Sequence, residues 1–112
     1  MITVDTLKEY GADTDDAIAR CMNNADFYIK LVEKALSDGN YEKLNKAINA
    51  KDYETAFSVA HALKGVVTNL SLTPLAGPII EITEYLRAGE DRDYSELLEK
   101  IDKELARLKA LA

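Results

Sequence analysis

The stretch "AHALKGVVTNL", Ala60 to Leu70, holds the only histidine of the chain, followed three residues later by a lysine and four later by a glycine. It lies in a run that reads as one helix from about Tyr53 to Leu70, with Asp52 as its cap. Glycine inside a helix costs roughly 0.5–1 kcal/mol relative to alanine, so its place one turn past the histidine asks for a reason. Advancing about 100° per residue from Ala56 puts Ala60, Leu63, Val67 and Leu70 within roughly 40° of the origin. These residues form the core stripe. His61 falls at about 140° and Gly65 at about 180°, both on the solvent side. Lys64 at about 80° and Thr68 at about 120° flank the histidine, because residues three and four apart are neighbours on a helix surface.

Working outward, the chain divides into helical blocks. "YGAD" with Thr14 predicts a turn and cap, and a short helix runs to about Met22, its first turn enriched in Asp15 and Asp16. Asn24 caps a helix to about Leu36, with Phe27, Leu31, Val32 and Ala35 at helical spacing. "SDGN" breaks the pattern, with Gly39 as a C-cap and turn residue, and a helix follows from about Tyr41 to Asn49 carrying Leu44, Ala47 and Ile48 on one side. Beyond the histidine helix, Thr73 and Pro74 read as a cap and first-position pair for a helix to about Ala88, stopped by Gly89. Pro78 falls just inside that helix, where it removes one backbone hydrogen bond and bends the first turns. The last helix spans about Tyr94 to Leu111, with Leu97, Leu98, Ile101, Leu105 and Leu108 at core spacing. Four of these helices are long, amphipathic and joined by short links, so they must share a core. The expected fold is all-α: an antiparallel, up-down-up-down four-helix bundle with one or two short extra N-terminal helices.

Composition narrows the function. With 112 residues the chain is read as one domain over 1–112, and 47% apolar with 30% charged residues is the profile of a compact folded protein. A net charge of -6 without a Lys/Arg cluster argues against nucleic acid and against an anionic membrane surface. The apolar runs are too short to span a bilayer and "MITVDTLKEY" lacks a signal-peptide layout, so a cytoplasmic location is expected. The lone Cys21 excludes an internal disulfide and reads as a small buried hydrophobe rather than a catalytic thiol.

Alternative chemistries lack material. One histidine and one cysteine forty residues apart cannot close a zinc site, and no nucleophile-turn signature supports a Ser-His-Asp arrangement. An exposed histidine, a lysine or a mid-helix glycine says little alone. Together they are the parts that phosphorylation of a histidine requires. The imidazole attacks phosphorus, the ammonium offsets charge on the phosphoryl oxygens, and the missing side chain leaves room for them.

These residues also match a known pattern. "AHALKGVVTNLSLTPL" resembles the signature of the histidine-containing phosphotransfer (HPt) domain, A-H-x-L-K-G-x-x-x-N-L-G-x-x-x-L, with Ala60, His61, Leu63, Lys64, Gly65, Asn69, Leu70 and Leu75 in register. Downstream, "IEITEYLRAGE" is similar to the family's L-E-x-x-x-R-x-G pattern, with Ile82 for leucine and Arg87 and Gly89 matching. Upstream, the stretch from Asn23 to His61 has the family's layout of helices leading into the histidine helix. Departures are Ser71 in place of glycine, Thr83 in place of the usual glutamate with Glu81 and Glu84 nearby, and Pro78 inside its helix.

The resemblance implies a two-component phosphorelay module that takes a phosphoryl group from a receiver-domain aspartate and passes it to another receiver. His61 would be the phosphoacceptor through Nε2, Lys64 would stabilise the phosphoryl group, and Gly65 would leave room for it and the partner. Such modules have no kinase activity of their own and hold no cofactor, the Mg²⁺ belonging to the receiver. Their partners are response-regulator receiver domains and hybrid sensor histidine kinases, and a monomer is expected. Two alternatives stay open: an adaptor that binds a receiver or kinase without accepting phosphate, and a domain belonging to a hybrid or chemotaxis-type kinase. A start at Met1 and an end soon after the last helix suit a standalone protein, though a domain boundary would look the same. Lys64 and Lys51 are the only cations the sequence places near the site, so docking is expected to rely on apolar contact beside the histidine.

Overall fold

The computed structural model describes all 112 residues and builds them into seven helices: α1 (Val4–Tyr10), α2 (Thr14–Arg20), α3 (Ala25–Leu36), α4 (Asn40–Asn49), α5 (Tyr53–Asn69), α6 (Thr73–Arg87) and α7 (Ser95–Lys109). Two caps fall where the sequence puts them. The Asn24 side chain accepts from the Phe27 N–H, and that of Asp52 accepts from the Thr55 N–H. Others move by one residue. Asp13 rather than Thr14 caps α2, and Thr14 is its buried first residue. Thr73 opens α6 as a helical residue, with Leu72 at the cap position and no side-chain bond there. Gly39 is not a C-cap: Ser37 ends α3, and Gly39 has right-handed backbone (φ -68) before α4. Gly89 does stop α6, at φ 69, with its N–H returning to the Leu86 carbonyl.

The sequence allows for a second short N-terminal helix without assigning residues to it, and α1 is that helix. Thr3 and Thr6 form a reciprocal capping box at its start, and Gly11 ends it at φ 115. A Cβ on Gly11 would also sit 2.9 Å from Pro74. Backbone conformation and space both demand glycine there, and the contact ties the α1–α2 link to the start of α6.

The packing follows chain order: α4 lies on α5, α5 on α6, and α6 on α7, while α1 and α3 reach α7. One core of 30 buried residues draws on all seven helices. In α5 the stripe of Ala56, Ala60, Leu63, Val67 and Leu70 is buried as the helical projection predicts. In α3 the expected positions Val32 and Ala35 are buried, and the exception is Phe27. Tyr28, Val32 and Ala35 face the core, whereas Phe27 is 48% exposed and Leu31 only half-buried. Tyr28 points inward, where its hydroxyl donates to the Leu70 carbonyl (2.9 Å) and is not left without a partner. Pro78 sits within α6, which continues through it to Arg87.

The C-terminal end of α5 is held from several sides. Arg20 on α2 donates to the carbonyls of Thr68 (3.1 Å) and Asn69 (2.8 Å) and to Ser71 Oγ (2.6 Å), and it pairs with Asp16 one turn back. Ser71 Oγ in turn donates to Asp16 (3.1 Å). Ser71 has φ 52, a left-handed conformation costing about 1–2 kcal/mol for a residue with a Cβ. Its bonds to Arg20 and Asp16 help offset that strain at the position where the HPt signature has glycine. The hydrogen bonds from Arg20 and Ser71 hold the Asp16 carboxyl below its ordinary range. Burial pushes the Tyr28 phenol up to about 12.

Candidate functional site

The middle of α5 projects a short polar crest. His61 and Gly65 are exposed and Lys64 is half-buried beside them. Phe57, one turn before His61, stacks against the imidazole with ring centres 5.8 Å apart and planes at 28°. Such pairs contribute about 0.5–1.5 kcal/mol and favour one ring orientation. Helix α6 packs against α5 and supplies two charged groups to this edge. Lys64 Nζ lies 3.8 Å from Glu84 Oε1, and Arg87 Nε lies 3.3 Å from Glu84 Oε2. The Arg87 guanidinium also sits 5.0 Å from the centre of the Phe57 ring. Histidine, aromatic ring, guanidinium, carboxylate and ammonium thus form a continuous rim.

Gly65 stands apart from that rim. A Cβ there would meet nothing within 4 Å, and its backbone is ordinary helix. Neither space nor backbone conformation inside the chain requires glycine there. Thr68 offers its hydroxyl to the Lys64 carbonyl at 2.7 Å and is committed to the helix rather than to the crest.

On the opposite flank of α5 from Lys64 runs an open groove of about 620 Å³ between α3 and the second half of α5. Leu31, Ala35, Val66 and Leu70 line it, with Lys34, Asp38 and Asn69 at its rim. Exposed Phe27 lies one helical turn before Leu31. The crest of His61 and Gly65 therefore separates a charged edge from an apolar groove.

Several sequence expectations change here. Lys51 lies before the start of α5, about 15 Å along the axis from His61, and pairs with Asp91 at 3.9 Å. The nearer second cation is Arg87, which a projection of α5 alone could not reveal. Asp91 also accepts from the Tyr53 hydroxyl at 2.7 Å, a bond that pushes this phenol up to about 12. Thr83 is fully buried and donates to the Ile79 carbonyl at 2.6 Å, so the carboxylate facing the site comes from the next residue, Glu84. Phe57 was legible in principle, since it lies one turn before His61 on the same side. Cys21 is buried and caps α2 by its backbone.

No helix is long and apolar enough to cross a membrane. A family model described as "Hpt domain" matches residues 31–111 of the 112-residue chain. Neither the comparison with curated proteins nor that with solved structures gives a match. The matched span takes in the second half of α3 and everything from α4 to the end of α7, including the crest and both of its flanks. The chain therefore belongs to the Hpt domain family, whose members act in histidine phosphotransfer in two-component signalling.

Proposed function

We propose that His61 is the phosphoacceptor of a phosphorelay, receiving a phosphoryl group from a receiver-domain aspartate and passing it to a second receiver. The observation that carries this reading is the placement of the only imidazole on the solvent crest of α5, between half-buried Lys64 and bare Gly65. In the forward step the Nε2 lone pair forms a P–N bond, and the P–O bond to the donor aspartate breaks. The carboxylate leaves with the bonding electrons. Lys64 offsets charge on the phosphoryl oxygens, and Gly65 leaves room for them and for the approaching partner. The Mg²⁺ that such transfer uses is assigned to the receiver, and this chain is read as needing no metal or cofactor of its own.

The partner, a receiver or a hybrid sensor kinase, is taken to dock over the crest and into the apolar groove of Leu31, Ala35, Val66 and Leu70, with Phe27 at its edge. An apolar contact suits a chain of net charge -6 meeting an acidic receiver site better than electrostatic steering does. Residues 1–112 are read as one domain, a monomer in the cytoplasm. Its core is read as an antiparallel, up-down-up-down four-helix bundle, with α1 and α2 among the short helices outside it. Short links between successive helices and the packing of α4 on α5, α5 on α6 and α6 on α7 support that arrangement.

The test is incubation with a phosphorylated receiver domain. Wild type is expected to acquire acid-labile, alkali-stable label, and His61→Gln to acquire none while keeping its helical circular dichroism. Equal label on His61→Gln would refute the assignment. Binding of the receiver without any label would favour the adaptor reading, which the groove beside the histidine would also serve.

A further inference from the structure

We propose that Glu84 is a positioning residue that competes with the phosphoryl group for Lys64 and so limits how far the transfer equilibrium moves toward phosphohistidine. The inference rests on His61 being the phosphoacceptor. At the site two cations, Lys64 and Arg87, face one carboxylate. They are not held alike. Arg87 is restrained twice, by Glu84 at 3.3 Å and by the face of Phe57. Lys64 meets Glu84 only at 3.8 Å, well beyond the 2.7–2.9 Å typical of a charge-assisted hydrogen bond. Lys64 is the cation free to turn.

A phosphoryl group on His61 brings nearly two negative charges to the crest one helical turn from Lys64. The ammonium then leaves Glu84 for the phosphoryl oxygens. No covalent bond changes in this exchange, and Glu84 keeps Arg87, so its carboxylate is not left without a partner. Two penalties fall on the phosphorylated state alone: loss of the Lys64–Glu84 contact, and repulsion between carboxylate and phosphoryl group. Both favour returning the group to an aspartate. Exposed ion pairs have modest effects, so neutralising Glu84 is expected to raise the equilibrium share of phosphohistidine by about fivefold at low salt. Screening reduces the gain as salt rises.

The experiment compares wild type, Glu84→Gln, Glu84→Asp, Lys64→Met, the Glu84→Gln/Lys64→Met double variant, and Glu81→Gln as an exposed control on the same helix. Each is brought to equilibrium with a purified phosphorylated receiver domain. Each is separately labelled with phosphoramidate, which donates to imidazoles without a protein partner, and the half-life of the label is measured. Glu84→Gln should gain label and lifetime in the Lys64 background and lose most of that gain in the Lys64→Met background. Glu84→Asp should return toward wild type, and Glu81→Gln should match it. Label on wild type with no change in Glu84→Gln overturns the role of Glu84 and leaves that of His61 standing. An equal gain with and without Lys64 overturns the exchange. Failure of both donors to label wild type overturns the phosphoacceptor reading and this inference together.

Discussion

The two halves of α5 are treated in opposite ways. At its C-terminal end, Arg20, Ser71, Asp16 and Tyr28 converge on the last turn, so that even a left-handed serine is held in place. In its middle, one turn earlier, Gly65 has no neighbour for a side chain to touch and His61 faces solvent. Helix ends carry carbonyls without intrahelical partners and gain from added donors. A helix centre already has its backbone satisfied and can be left bare at little cost. An exposed histidine in the middle of a helix whose end is anchored combines a rigid frame with an open approach.

That contrast can be broken from either side. The largest effect is expected at the bare middle. Gly65→Leu should lower the rate of transfer from a phosphorylated receiver by about 100-fold or more, since displacement of a reacting group by about 1 Å has that scale. Thermal unfolding should show stability unchanged or raised, because leucine is the better helix former by up to about 1 kcal/mol. A Gly65→Leu variant that transfers normally would mean the bare position has no part in access. At the anchored end the pattern should invert. Arg20→Ala removes donors from two helix-terminal carbonyls and should cost about 1–2 kcal/mol in urea unfolding, with label on His61 retained in the folded protein.

The smallest effect is a matter of pH. Asp16 has its carboxyl pKa lowered by Arg20 and Ser71, so the folded state binds this proton less readily than the unfolded chain. Its contribution is present above the ordinary carboxylate value of 3.8 and is lost as pH falls through the lowered value. Asp16→Asn should therefore be less stable near neutral pH and show a shallower loss of stability below pH 3.8. A wild-type acid limb that Asp16→Asn leaves unchanged would remove Asp16 from the anchor.

What was legible in the sequence was local. Helical spacing alone oriented α5, placing Ala56, Ala60, Leu63 and Val67 inward and His61 and Gly65 outward, because a single helix has one period and one apolar stripe. Asn24 and Asp52 were legible as caps for the same reason: the bond closes within three residues. In α3 the same periodicity places Val32 and Ala35 correctly but misplaces Phe27. Phe27, Leu31, Val32 and Ala35 fit helical spacing, yet Tyr28 takes the inward place, where its hydroxyl finds the Leu70 carbonyl 42 residues away. No spacing rule contains that partner.

The sequence by itself determined an all-helical chain with an outward histidine flanked by a lysine and a glycine, since these follow from periodicity, capping and the 100° step of a helix. Tertiary structure decided what surrounds that histidine. Glu84 and Arg87 reach the histidine's edge because α6 packs against α5, and the apolar groove forms where α3 meets the second half of α5. Contacts between residues distant in the chain depend on how helix faces are paired, and that pairing is settled by packing the whole core at once.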